Sequence, residues 1–175
     1  MTIEVELRSF ISKEKYLELL EFFGKDGKLL KEDEQITYYF DCEEDLRIQK
    51  NNFYSKIWLK KGKLHDEARE ELEIQFEREQ FEQLEKLFLS LGYQVEIKWF
   101  RKRHVFEWQG IKVAVDYTKG YGYILELEKI ADQENKEFVL EELKKRLKSL
   151  QIELTLREVF EERYQDYKKN WKELI

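Results

Sequence analysis

Ile3-Glu4-Val5-Glu6-Leu7-Arg8 alternates apolar and charged residues without a break, two carboxylates followed by a guanidinium. Successive side chains of a strand point to opposite faces, so this hexapeptide predicts a strand with one apolar face and one charged face. A solvated outer face explains such a pattern in isolation, because half-buried antiparallel sheets read the same way.

The pattern recurs along the chain. Leu46-Arg47-Ile48-Gln49, Lys56-Ile57-Trp58-Leu59-Lys60, Arg69-Glu70-Glu71-Leu72-Glu73-Ile74, Lys112-Val113-Ala114-Val115-Asp116 and Leu125-Glu126-Leu127-Glu128 mostly set apolar side chains against charge. A long antiparallel sheet exposes its edges, and closure removes them. The expected fold is therefore α+β: an eight-stranded antiparallel closed β-barrel with helices packed outside and the charged faces turned into the lumen.

Helical period appears in four places. Ser12 to Phe23 carries Tyr16, Leu19, Leu20 and Phe23 on one face, with Ser12 as N-cap and Gly24 as stop. Glu79 to Leu91 aligns Phe81, Leu84, Leu87, Phe88 and Leu91 and ends at Gly92. Two further helices are expected from about Gln133 to Leu150 and from about Leu156 to Trp171, where Tyr164 and Tyr167 pack the last helix onto the barrel.

Composition narrows the chemistry. The 175 residues lack proline, a linker or an internal repeat, and are expected to form one domain over 1–175. With one cysteine, Cys42, and two histidines, His65 and His104, a cysteine- or histidine-based metal site is not expected. Any metal must sit on oxygen. A net charge of −6 argues against a nucleic-acid partner held by phosphate contacts. The apolar runs are too short for a membrane span, and the polar first ten residues do not read as a secretory leader, so a cytoplasmic protein is expected.

The expected lumen holds Glu4, Glu6, Glu71, Glu73, Asp116, Glu126 and Glu128 alongside Arg8, Arg47, Lys56, Lys60, Arg69, Arg101 and Arg103. Unpaired charges at such density are costly. A polyanion with divalent cations satisfies both signs together, carboxylates on the metal and basic groups on phosphate. Trp99, Phe100 and Phe106 are expected in the core rather than as a platform for a base.

Ordered motifs extend this reading. Glu4-Val5-Glu6-Leu7-Arg8 resembles the E-x-E-x-K signature of the CYTH superfamily, the triphosphate tunnel metalloenzymes. Gln35-Ile36-Thr37-Tyr38-Tyr39-Phe40-Asp41 is similar to the D-x-Y-F-D segment of that superfamily, and Leu46-Arg47-Ile48-Gln49 to its L-R-I-R. Trp58-Leu59-Lys60-Lys61-Gly62, Arg69-Glu70-Glu71-Leu72-Glu73 and Arg101-Lys102-Arg103-His104-Val105-Phe106 resemble its L-T-x-K-G, R-E-E-x-E and K-x-R-x-x-Y. Most specific is Val115 to Glu128, which looks like L-D-x-x-x-G-x-G-x-x-x-E-x-E.

The resemblance implies a tunnel that binds a triphosphate with Mg2+ or Mn2+. It implies metal ligation by Glu4, Glu6, Glu126 and Glu128, with Asp116 and Glu71 or Glu73 nearby. It implies phosphate binding by Arg8, Arg47, Lys60, Arg101 and Arg103, joined by Lys56, Arg69 and Arg163. Glu4, Glu6, Arg8 and Lys60 would stand closest to the chemistry. The activity implied is a metal-dependent triphosphatase acting on inorganic or organic triphosphate; a class IV adenylate cyclase and a noncatalytic polyphosphate or nucleotide binding module are the alternatives. The expected partner is a triphosphate or nucleotide, with neither nucleic acid nor membrane, and the protein a monomer or homodimer. Three positions depart from the motifs: Arg8 for the signature lysine, Gln49 for the second arginine of L-R-I-R and Thr37 for the first aspartate of D-x-Y-F-D.

Overall fold

The structure is a computed structural model that describes residues 3–60 and 71–175, with side chains from 4–59 and 72–175. Arg69 and His65 lie outside the described residues, as do the side chains of Lys60 and Glu71.

Eight strands form one antiparallel sheet: β1 (Ile3–Ile11), β2 (Lys28–Phe40), β3 (Asp45–Lys50), β4 (Ser55–Lys60), β5 (Glu71–Phe76), β6 (Val95–Trp108), β7 (Ile111–Thr118) and β8 (Gly122–Ala131). Their order is β1-β8-β7-β6-β2-β3-β4-β5. Four α-helices accompany them: α1 (Lys13–Asp26), α2 (Phe81–Ser90), α3 (Lys136–Ser149) and α4 (Arg157–Leu174).

The expected eight antiparallel strands are present, and hydrogen bonds among the described residues do not close them into a barrel. Among the described residues β1 pairs only with β8 and β5 only with β4, so the hydrogen-bonded ladder has two edges. Avoidance of edges predicted closure, yet the six-residue β5 uses its pairing groups on β4 alone.

One face of the sheet is apolar and split into two cores. Leu7, Val113, Leu125 and Leu127 pack with Leu19 and Phe23 of α1 and Leu143 and Leu147 of α3. Leu46 and Ile48 pack with Phe81, Leu84 and Phe88 of α2. Fully burying a side chain of this size contributes roughly 1.5–3 kcal/mol, so these stripes fix the register of their strands.

Helix ends differ from expectation for local reasons. Ser12 caps α1 as expected, its Oγ accepting from the Lys15 amide at 3.1 Å. The helix runs through Gly24, however, and stops at Gly27, whose amide donates to the Phe23 carbonyl at 2.9 Å. Phe23 is fully buried, and its packing holds the turn that glycine alone would loosen. In α2, Leu87 lies off the buried stripe and is exposed, as is Leu91 just past the end of the helix.

The fourth helix departs most. Helices packed outside the sheet describe α1, α2 and α3, but Tyr167 and Trp171 of α4 pack on Ile97 and Trp99, which share their face with Arg101 and Arg103. Strand β6 runs past the end of β7, where pairing begins at Arg101 and Thr118. The freed edge is covered from α4: Tyr167 Oη donates to the Lys98 carbonyl and Trp171 Nε1 to the Glu96 carbonyl, each at 2.8 Å. One helical turn between the donors matches two strand residues between the acceptors.

The last turn of α4 seats on Gly120, in the β7–β8 turn at φ +74. A Cβ there would stand 2.6 Å from Leu174 Cβ and 2.9 Å from its carbonyl oxygen. Gly120→Ala is expected to cost about 1–3 kcal/mol and to loosen α4, because it adds both a left-handed strain and a clash. Urea unfolding followed by tryptophan fluorescence checks it; an unchanged midpoint would show that α4 does not rest on this turn.

Candidate functional site

Glu4, Glu6 and Arg8 of β1, Glu126 and Glu128 of β8, Asp116 of β7, and Arg101 and Arg103 of β6 share the sheet face opposite α1, α2 and α3. Arg47 of β3, Lys56 of β4 and Glu73 of β5 continue it. Alternation, anchored by the apolar stripe, places them there.

At the centre, Arg103 bridges two strands: Nη1 donates to Asp116 Oδ2 at 3.0 Å and Nη2 to Glu126 Oε1 at 2.6 Å. Arg101 Nη1 approaches Asp116 Oδ2 at 3.9 Å. Lys112 Nζ donates to both oxygens of Glu128, at 3.0 and 2.9 Å. Arg8 Nε lies 2.8 Å from Glu6 Oε1, with Arg8 56% and Glu6 39% exposed. Glu4 is exposed.

A second group lies across β3 to β5. Arg47 is held by both oxygens of Asp45, with its guanidinium over the rings of Tyr39 at 4.3 Å and Trp58 at 5.5 Å. Lys56 Nζ donates to Glu73 Oε2 at 2.7 Å and lies 4.4 Å from the centre of the Trp58 ring. Arg163 reaches the face from α4, 4.1 Å above the Phe10 ring.

The face is not an ordinary solvated one. Asp116 is 4 % exposed and Glu128 9 %. Burial pushes the Asp116 carboxyl above its ordinary value, and Arg101 and Arg103 only partly offset this. Glu6 is also raised, first by desolvation and then by the negative charge of Glu126, with Glu128 adding to it and Arg8 and Arg103 opposing.

Several buried polar atoms here have no hydrogen-bond partner among the described residues: Trp58 Nε1, Trp99 Nε1, Arg101 Nε, Asp116 Oδ1 and Thr118 Oγ1. Each such atom costs on the order of 1–3 kcal/mol if left dry. Donors and an acceptor are thus waiting on one face.

Whether a hard dication fits can be judged from the donor set. Glu6, Glu126 and Glu128 are oxygen donors that repel one another, and Asp116 keeps one oxygen free. That chemistry suits Mg2+ or Mn2+. Among the described residues, though, no three acidic, histidine or cysteine side chains stand gathered as a ready chelate; basic side chains hold several of the carboxylates instead.

Two of the motif departures meet each other. Thr37 and Gln49 are partners in the β2–β3 ladder, and Gln49 Nε2 donates to Thr37 Oγ1 at 2.9 Å in a buried bond. A neutral pair stands where the resemblance has an aspartate and an arginine. Gln49 therefore completes Thr37 rather than leaving a charge missing.

Sequence reasoning overlooked Asp33. It is 1 % exposed and accepts from the Asn52 amide at 3.0 Å and Gln35 Nε2 at 3.1 Å, with Lys31 Nζ at 2.9 Å. It pins the β3–β4 turn against β2, and only its position two residues before Gln35 hinted at it. His104 lies on the opposite face, beside Tyr16 and 3.4 Å from Glu32.

An α+β domain with one antiparallel sheet, helices on its apolar face and dense charge on the other is a recognisable class. The chain belongs to the CYTH domain family, whose description matches residues 2–158. It is 34% identical over 163 residues, 86% of this chain and 90% of the relative, to the Methanocaldococcus jannaschii protein named "Putative adenylate cyclase MJ0240". In fold it is similar to a conserved hypothetical protein from Pyrococcus furiosus, with a TM-score of 0.68 at 24% identity over 86% of this chain and 91% of that one. It is likewise similar to a Vibrio parahaemolyticus chain described as "a putative adenylate cyclase", with a TM-score of 0.64 at 13% identity over 89% and 95%. Among the described residues no helix is long and apolar enough to cross a membrane.

Proposed function

We propose that the protein is a metal-dependent enzyme acting on a triphosphate, and that it hydrolyses the terminal phosphoryl group. The observation that carries this reading is the set of buried, unpartnered polar atoms on a face already crowded with both signs of charge. Indole and guanidinium N–H groups suit phosphate oxygens, and the free oxygen of Asp116 suits a cation.

Glu4, Glu6, Glu126 and Glu128, with Asp116 beside them, would hold Mg2+ or Mn2+; the side chains of Glu71 and Glu73 complete the proposed set. A bound dication supplies neutralisation of charge on the phosphoryl oxygens. Arg8, Arg101 and Arg103 orient the phosphates and spread their charge, with Lys56, Lys60, Arg69 and Arg163 as further cations. Arg47, fixed between two rings and Asp45, positions by charge without swinging. Without a dication, desolvation and the Glu126 and Glu128 charges raise the Glu6 carboxyl, and a dication bound there would displace its proton.

The relative's name, quoted above, favours a second reading: cyclisation of ATP to cyclic AMP with loss of pyrophosphate. The test is a panel. Purified protein with Mg2+ or Mn2+ is incubated with inorganic triphosphate, ATP and thiamine triphosphate, and orthophosphate, pyrophosphate and cyclic AMP are resolved. Orthophosphate is expected; cyclic AMP with pyrophosphate would replace the first reading by the second, and tight binding without product would leave a sensor.

A further inference from the structure

The two cores of the apolar face leave a seam between them. α1 covers β6 to β8 and α2 covers β3, while Ile36 of β2 and Phe100 of β6, paired neighbours, lie between and remain partly exposed. Here a cavity of about 260 Å³ opens, floored by those two side chains and flanked by Tyr117.

Its lining is basic in an acidic chain. Lys50, Arg78, Lys102 and Lys119 border it against one carboxylate, Glu34; Arg101 also lines it, with its guanidinium turned to Asp116 on the charged face. Lys50 and Lys102 are already engaged, Lys50 Nζ 2.6 Å from Glu82 and Lys102 Nζ 3.0 Å from Glu34, as is Arg101 with Asp116. Arg78 spends only its Nε, on the Asn51 carbonyl at 2.8 Å, and Lys119 has no ion-pair partner among the described residues.

We propose that this seam is a second ligand site, separate from the charged face, that binds a nucleoside monophosphate. The apolar floor of Ile36 and Phe100 accepts a flat base, as stacking on aromatic side chains does elsewhere. Arg78 and Lys119 supply two open cations, matching the two negative charges of a phosphate monoester. The volume lies just under that of sites for drug-sized ligands, which suits a mononucleotide with one end in solvent. The proposal does not depend on hydrolysis at the charged face, because Ile36, Phe100, Arg78 and Lys119, which carry it, are none of the residues assigned to that face.

Calorimetric titration of the full chain with AMP, adenosine, inorganic phosphate and a short single-stranded oligoadenylate, without dication, tests it. AMP is expected to bind about tenfold or more tighter than adenosine or phosphate. Lys119→Glu, at an exposed position, should weaken AMP about tenfold, and Arg78→Gln should act in the same direction. Glu126→Gln, on the other face, should leave AMP affinity unchanged. The proposal is overturned if phosphate binds as well as AMP, if oligoadenylate binds far better, if Lys119→Glu has no effect, or if Glu126→Gln removes binding.

Discussion

Glu126→Gln and Glu128→Gln are each expected to lower turnover of triphosphate by at least about a hundredfold while leaving the fold intact. Removal of one preorganised charge-stabilising group in an enclosed site has about that effect. The glutamine amide is isosteric and still accepts through its carbonyl oxygen, so the 2.6 Å bond from Arg103 and one of the two bonds from Lys112 survive in kind. It is, however, a poor ligand for a hard dication. Neutralising Glu126 also relieves Glu6, whose proton affinity that charge raises. Against this, Arg103 loses one of its two charge partners and keeps Asp116, so stability should fall only modestly as activity is lost. A steady-state assay beside a thermal melt decides: full activity in the double variant would remove the carboxylates from the mechanism, and a collapsed melt would make their role structural.

How much of this was legible in the sequence follows from which strands had one wet face. β1, β3, β4, β7 and β8 alternate because one side meets a helix and the other the charged face. β2 and β6, the longest strands and paired with each other, do not read as strands by alternation. In β6, Trp99 is buried by α4 and Phe106 by α1, so apolar residues occupy both faces, as a doubly covered strand requires. In β2 the first half runs beyond the end of β3, and its polar residues K-E-D-E-Q answer to no single core.

The site was legible to the same degree. Residue types and faces came through, and the cross-strand partners followed from register once β8 lay beside β1 and β7. What sequence could not give is tertiary: α4 crossing to the charged face, the Thr37–Gln49 pair, and the ladder that stays open between β1 and β5 among the described residues. Each depends on where one element stops relative to its neighbour, and periodicity is silent on that.

Arg103→Ala is expected to cost about 3–5 kcal/mol at neutral pH, the loss seen when one partner of a buried ion group is removed. The side chain is 17% exposed and serves both Asp116 and Glu126, so its removal takes the guanidinium from Glu126 and leaves Asp116 with Arg101 alone at 3.9 Å. The loss should depend on pH with a definite sign. Burial already raises the Asp116 carboxyl, and deleting the guanidinium raises it further. An acid raised in the folded state binds protons more tightly there than in the unfolded chain, so stability falls as pH climbs from the ordinary carboxylate value through the raised one. Acidification through that window should return part of what Arg103→Ala removes. The triple variant Arg103→Met, Asp116→Leu, Glu126→Leu should recover most of the loss at every pH, because well-packed apolar groups replace a buried ionic triad at little or no cost. Urea unfolding of the three proteins between pH 4 and 8 measures all of this. A loss below about 1 kcal/mol for Arg103→Ala would place the triad in open solvent. Should the triple variant be as stable as the parent, folding does not require charge at this position. The Glu4, Glu6 and Arg8 edge of β1 then has the same explanation as the triad beside it: the face is charged for what it binds.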